Sequence, residues 1–128
     1  MPNSKYLELH DAKLIGINLI DGNLELHIAS NFEIIKIFAK GVERLICNDF
    51  REGNIILEIF TTKDQEVCKT LLKDLYPKPT IETEAKHNIF LEKLLHKIAS
   101  NELTLLHVAP SYGAEITALC HEVTQSTL

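Results

Sequence analysis

Six histidines, three cysteines and two charged connections hold the side chains of this 128-residue chain that could do chemistry. The histidines stand at positions 10, 27, 87, 96, 107 and 121, and no two form a His-x-His or His-x-x-x-His pair. The nearest approach to a metal motif is Glu92 with His96, one helical turn apart. It offers two ligands where zinc takes three or four, so it reads as a solvated ionic pair. Cys47, Cys68 and Cys120 are odd in number and show no CxxC spacing. The reading is no metal site, no cofactor and three thiols kept reduced.

Two neighbouring pairs invite acid–base chemistry. His10-Asp11 would join an imidazole base to an orienting carboxylate, and Cys120-His121 would join a thiol nucleophile to a base. Adjacent residues on an extended chain point to opposite faces, so neither pair can bond within a strand. His10 and Asp11 are expected in a turn as binding groups, and Cys120 in the core.

Two connections complete the candidate set. Asp49-Phe50-Arg51-Glu52-Gly53 is the most charged connection and sets Arg51 among carboxylates. It reads either as a recognition loop on a rigid sheet or as a solvated turn with Phe50 tucked beneath it as an anchor. Pro110-Ser111-Tyr112-Gly113 lacks the Gly-x-Ser-x-Gly form of a nucleophile elbow. It reads as a turn with Tyr112 at its tip, a good interaction anchor. No phosphate-binding glycine loop is present. The candidate binding residues are His10, Asp11, Asp49, Arg51 and Tyr112, and no residue is assigned a catalytic role.

These residues need a scaffold, and the hydropathy pattern supplies one. Ile15, Ile17 and Leu19 alternate with polar or small residues before Asp21-Gly22, and Leu24, Leu26 and Ile28 alternate after it. Asp-Gly between alternating runs marks a type I′ hairpin, whose two central residues need positive φ. A two-residue loop sets Leu19 against Leu24, Ile17 against Leu26 and Ile15 against Ile28. A strand over 33–40 follows. A four-residue loop, 30–33, sets Ile28 against Ile35, Leu26 against Ile37 and Leu24 against Ala39. Short strands over 44–48 and 54–61 complete a meander within 1–62. Ile55, Leu57 and Ile59 are expected on one face of the last strand, and Ile56 and Phe60 on the other.

The period then changes to that of a helix. Thr62-Lys63-Asp64-Gln65 has the form of a capping box, followed by Val67, Cys68, Leu71, Leu72 and Leu75. Pro77-Lys78-Pro79 reads as a rigid joint to a second helix over about 82–100, with Asn101 as a left-handed terminator. A C-terminal hairpin over 102–124 follows, its second strand over 114–123, with a frayed tail from 124 to 128. The fold class is α+β: an antiparallel sheet of five to six meander strands plus that hairpin, two helices (63–101) on one face, one domain over 1–128.

Composition narrows the function. Of the chain, 45% is hydrophobic and 24% charged, the net charge is −5, and only Arg44 and Arg51 are arginines. An acidic surface without Trp does not attract nucleic acid. The apolar runs are too short to span a membrane, and the N-terminus has no basic region leading into an apolar stretch. The expectation is a cytoplasmic, non-enzymatic interaction protein of prokaryotic type with a protein partner. An acidic antagonist of a basic toxin is its concrete version. The alternative is a small ligand-binding or hydrolytic domain with a pocket between sheet and helices, using His10, Asp11 or the 49–52 loop. Strands apolar on both sides further suggest a homodimer, in which a second subunit covers the face that the helices leave bare.

Overall fold

The computed structural model describes residues 4–77 and 83–127. Among these described residues, nine strands run in chain order as β1 (Ser4–Leu7), β2 (Lys13–Ile20), β3 (Asn23–Ser30), β4 (Glu33–Lys40), β5 (Arg44–Asn48), β6 (Asn54–Thr62), β7 (Thr104–Tyr112), β8 (Glu115–Cys120) and β9 (Glu122–Thr127). Helices α1 (Gln65–Leu75) and α2 (Glu84–Ala99) lie between β6 and β7. The sheet is antiparallel and the fold is α+β. Residues 78 and 79 of the expected proline joint, and the expected helix start at 82, lie outside the described residues.

The hairpin at Asp21-Gly22 forms as its chemistry requires, with φ of 52° and 78° and Leu19 opposite Leu24 and Ile17 opposite Leu26. One pair differs. A bulge at Ile15 sets Leu14 opposite Ile28, so Leu14 is buried and Ile15 is exposed. The β3–β4 register is also as expected, but the connection is a two-residue turn, Asn31-Phe32, with Ser30 opposite Glu33. Both turn residues have positive φ, a conformation a bulky Phe adopts only at a cost. Phe32 is therefore a fully exposed tip, not part of a strand face.

Beyond β4 the meander ends. β5 pairs with β8, β6 pairs with β1, β2 and β7, and β9 pairs with β4. Lys40 opposite Glu122 and Arg44 opposite Leu119 are two parts of one bent ladder. His121 N–H donates to Lys40 C=O and Glu43 N–H to Leu119 C=O across the bend. β4 runs into β5 there and β8 into β9, so the ring β2-β3-β4/β5-β8/β9-β7-β6 closes on itself. Residues 124–127 of the expected frayed tail thus belong to strand β9, residue 128 lies outside the described residues, and the expected 114–123 strand breaks at His121.

Closure rearranges the apolar faces. Leu24, Leu26, Ile28, Ile35, Ile37, Ile56, Ile59, Leu106 and Ile116 fill the interior. The face expected to need a second subunit is turned inward. Irregular pairing of β6 with β7 brings Ile56 into that interior with Ile59, while Leu57 is left exposed. On the outside, Leu71, Leu72, Leu75, Leu91, Leu94, Leu95 and Ile98 of the helices pack on Leu105 and Leu119 of β7 and β8. Both helices therefore cover one outer wall, and β7 and β8 are buried on both faces.

Cap chemistry sets the helix ends. The α1 cap is Asp64, not Thr62: its Oδ1 accepts from the N–H groups of Glu66 and Val67, and Thr62 Oγ1 accepts from Asp64 N–H. Asp64→Ala is expected to cost about 1 kcal/mol in urea unfolding. At the end of α2, Asn101 is left-handed at φ 68°. Its N–H donates to Ile98 C=O and that of Glu102 to Lys97 C=O, a Schellman closure.

Candidate functional site

The β5–β6 connection and the β7–β8 turn meet on one buried side chain, Asn54. Its Oδ1 accepts from the N–H of Arg51 (2.8 Å) and of Ala114 (3.0 Å), and its Nδ2 donates to the carbonyls of Arg51 and Leu14. One amide thus fastens the charged loop, the start of β2 and the end of β7 together. Gly113 makes room for it. At φ +92° a Cβ on Gly113 would stand 2.3 Å from Asn54 Oδ1. The expected turn at 110–113 is shorter than its sequence suggests: Pro110 and Tyr112 lie in β7, and the chain reverses at Gly113-Ala114. Pro110 is tolerated because β8 pairs only as far as Val108 and the β6 side is irregular there.

Fastening the loops brings Arg51 and Tyr112 together. The guanidinium lies 5.8 Å from the Tyr112 ring centroid, within cation–π range. Tyr112 also ends a continuous row on the outer surface. Ile34 pairs with Ala29, Ala29 with Lys13, Lys13 with Ile55 and Ile55 with Tyr112. Register partners project from the same face about 5 Å apart, so the row crosses β4, β3, β2, β6 and β7 with one charge in it. Ile34 is 40% exposed and Tyr112 49%. Phe32 stands at the β3–β4 turn, beyond the β4 end of the row. Phe50, expected beneath the charged loop, is 46% exposed beside Arg51.

The other candidates fall elsewhere. His10 and Asp11 occupy a turn, with Asp11 left-handed at φ 65°. Out of strand geometry, the two side chains meet: His10 Nε2 lies 3.4 Å from Asp11 Oδ2. His10 Nδ1 is 2.6 Å from Leu57 C=O, so that nitrogen carries the hydrogen. Both side chains are largely exposed. Asp49 is exposed and left-handed at φ 59°, where it opens the loop turn. The structure therefore joins Arg51 to Tyr112 and His10 to Asp11, as two separate pairs.

A polar feature not singled out in the sequence lies on the helix side. His107 is buried on the outer face of β7, with Nδ1 2.8 Å from Thr117 Oγ1, Nε2 3.7 Å from Glu115 and its ring against Phe60. The only hint was one polar residue in the apolar run Leu105-Leu106-His107-Val108. Burial pushes its pKa down, partly offset by the carboxylates of Glu115, Glu58 and Asp74. The folded protein thus takes up a proton here less readily than the unfolded chain, and stability rises with pH over that interval. The His107 contribution is present above the ordinary histidine pKa and is lost as pH falls through the depressed one. Urea unfolding of wild type and His107→Gln at pH 7.5 and 5.5 checks this. Wild type is expected to lose more stability than the variant on acidification, and equal losses would contradict it.

Beside Thr117 and Glu115, a cavity of about 380 Å³ opens between α1 and strands β5 and β8. It is lined by Ile46, Asn48, Lys73, Asp74, Pro77, Glu115 and Thr117. None of the five sequence candidates lines it. Among the described residues, no three His, Cys, Asp or Glu side chains group as metal ligands. Burial raises the Cys68 pKa to about 11, with help from Asp64, and the Cys120 pKa to about 12. Those thiols stay protonated, and Cys120 donates to Thr104 C=O. No helix among the described residues is long and apolar enough to cross a membrane. No known family model matches the chain, and neither a curated protein nor a solved structure shows significant similarity to it.

Proposed function

We propose that this chain is a protein-binding module whose contact surface is the outer row ending at Arg51 and Tyr112. The observation that carries the reading is the juxtaposition itself. Arg and Tyr, two of the residue types enriched in binding hot spots, gather with exposed Phe, an interface-enriched aromatic, around a rigid row that is apolar at every position except Lys13. Asn54 holds Arg51 and Tyr112 in place before any partner arrives, which lowers the ordering cost of binding. The chain's net charge of −5 favours a partner of opposite sign through steering. A cytoplasmic, non-enzymatic role as the antagonist of a basic protein fits these features, and three free cysteines suit a reducing compartment.

Affinity capture from cells of the source organism tests the reading. Wild type should retain a specific partner, and Tyr112→Ala and Arg51→Ala should each weaken its retention about thirtyfold or more, the scale of a hot spot. Equal retention by wild type and both variants contradicts it. The cavity between α1 and β8 favours a second reading, a site for a small polar ligand. Glu115→Gln combined with a ligand thermal-shift screen tests that reading separately.

A further inference from the structure

Strand register and one arginine build the cavity beside α1. Ile46 pairs with Thr117 and Asn48 with Glu115, so these four side chains share the outer face of β5 and β8 and form its floor. The last turn of α1 brings Lys73 and Asp74 to it, with Pro77 just beyond the helix end. Arg44 fastens that end over β5. Its Nε donates to Leu75 C=O at 3.1 Å, and its guanidinium lies 5.0 Å from the Tyr76 ring centroid. Arg44 does not line the cavity. Among the described lining residues Lys73 is the one cation, against the carboxylates of Asp74 and Glu115. At about 380 Å³ the space matches the small end of ligand pockets, which run from about 300 to 1,000 Å³.

The polar groups here call for a donor of positive charge. Among the described residues Asp74 has no ion pair, and Glu115 has only His107. Burial holds the His107 pKa below the ordinary histidine value, so at neutral pH the ring does not neutralise Glu115. Asp74, from α1, acts on the same imidazole as Glu115, from β8, so the two negative potentials overlap at this wall. The carboxylate beside His107 Nε2 favours the hydrogen on that nitrogen, and Nδ1 then accepts from the Thr117 hydroxyl. The buried Thr117 oxygen is left with lone pairs alone. Both polar side chains that β8 gives to the cavity are therefore acceptors. Lys73 is exposed, and its long stem lets the ammonium stay in water.

We propose, resting on the polar-ligand reading of this cavity, that it binds a small organic ammonium ion. Asp74 and Glu115 supply the counter-charge, the Thr117 oxygen accepts one N–H of the ligand, and the hydrocarbon lies against Ile46 and Pro77. Butylamine, butanol and butyrate share one chain and differ in charge, so nitrogen–proton correlation NMR of the full chain at neutral pH compares them in millimolar titrations. Butylamine is expected to shift the amides of Asn48, Glu115 and Thr117 more than the other two do. Glu115→Gln and Asp74→Asn should each raise its dissociation constant about threefold to fivefold, the scale of a partly exposed ion pair. Lys73→Gln removes the competing cation and should lower it by about the same factor. The rest of each spectrum shows that the variant is folded. Larger shifts with butyrate, or weaker butylamine binding in Lys73→Gln, overturn the charge assignment and leave a polar-ligand site standing. Butylamine binding that neither carboxylate substitution weakens overturns it too. So does the absence of shifts with all three probes, and the polar-ligand reading falls with it only if the thermal-shift screen also finds no ligand.

Discussion

Asn54→Ala is expected to lower the free energy of unfolding by about 3 kcal/mol, a fall in Tm of roughly 10 °C for a chain of this size. The side chain is 2% exposed and makes four hydrogen bonds, two as acceptor and two as donor. Alanine removes all four and fills none of the space. The N–H groups of Arg51 and Ala114 and the carbonyl of Leu14 are left without this partner in a site with little access to water, where each unsatisfied group costs on the order of 1–3 kcal/mol. Relaxation of the exposed 49–53 loop recovers part of that sum. Urea unfolding at neutral pH measures the difference, and a loss below about 1 kcal/mol would mean the loop is fastened by something other than this amide.

Gly113→Ala tests the same junction from the opposite side and is expected to cost about 2–3 kcal/mol. Its φ of +92° resists an L side chain, and the added Cβ would meet Asn54 Oδ1 at 2.3 Å and Asn54 Cα at 3.1 Å. Either Asn54 gives up its bonds or the turn moves. The two substitutions share one contact, so they should not add. In Asn54→Ala/Gly113→Ala the oxygen is gone and only the backbone strain and the lost bonds remain. The double variant should be less destabilised than the sum of the singles by about 1 kcal/mol or more. Strict additivity would show that glycine is needed for its φ alone.

The parts of this fold that could be read from the sequence are those built by neighbours. Asp21-Gly22 carries its own turn conformation, and alternation on either side sets the register. The β3–β4 register was also legible, because only one pairing keeps Glu33 from facing Ile28. The tight turn was not, since a Phe in a left-handed position runs against its intrinsic preference and gives no local signal. Closure of the ring was invisible for a different reason. The partners of β5 and β9 lie far away along the chain, and short apolar strands do not name their partners.

The same division runs through the candidate site. Arg51 and Tyr112 stood out separately, one as a rare arginine among carboxylates and the other beside turn residues. Nothing local joins them. Asn54, which does, looked like an ordinary polar residue opening a strand, and Gly113 like an ordinary turn glycine. His10 and Asp11 were read against strand geometry, and the left-handed Asp11 removed the obstacle to their contact. His107 was hidden because one polar residue in an apolar run looks the same whether it is buried with a partner or exposed.

Site-specific photo-crosslinking in living cells is the most direct test of protein binding through the Arg51–Tyr112 end. A benzoyl-phenylalanine in place of Phe50, beside Arg51 and half exposed, samples that end, and one in place of the more exposed Ile89 on α2 samples a control surface. The account predicts a discrete adduct from position 50, lost when Arg51→Ala or Tyr112→Ala is added, and no matching adduct from position 89. No adduct from position 50, or the same adduct from both positions, would contradict it.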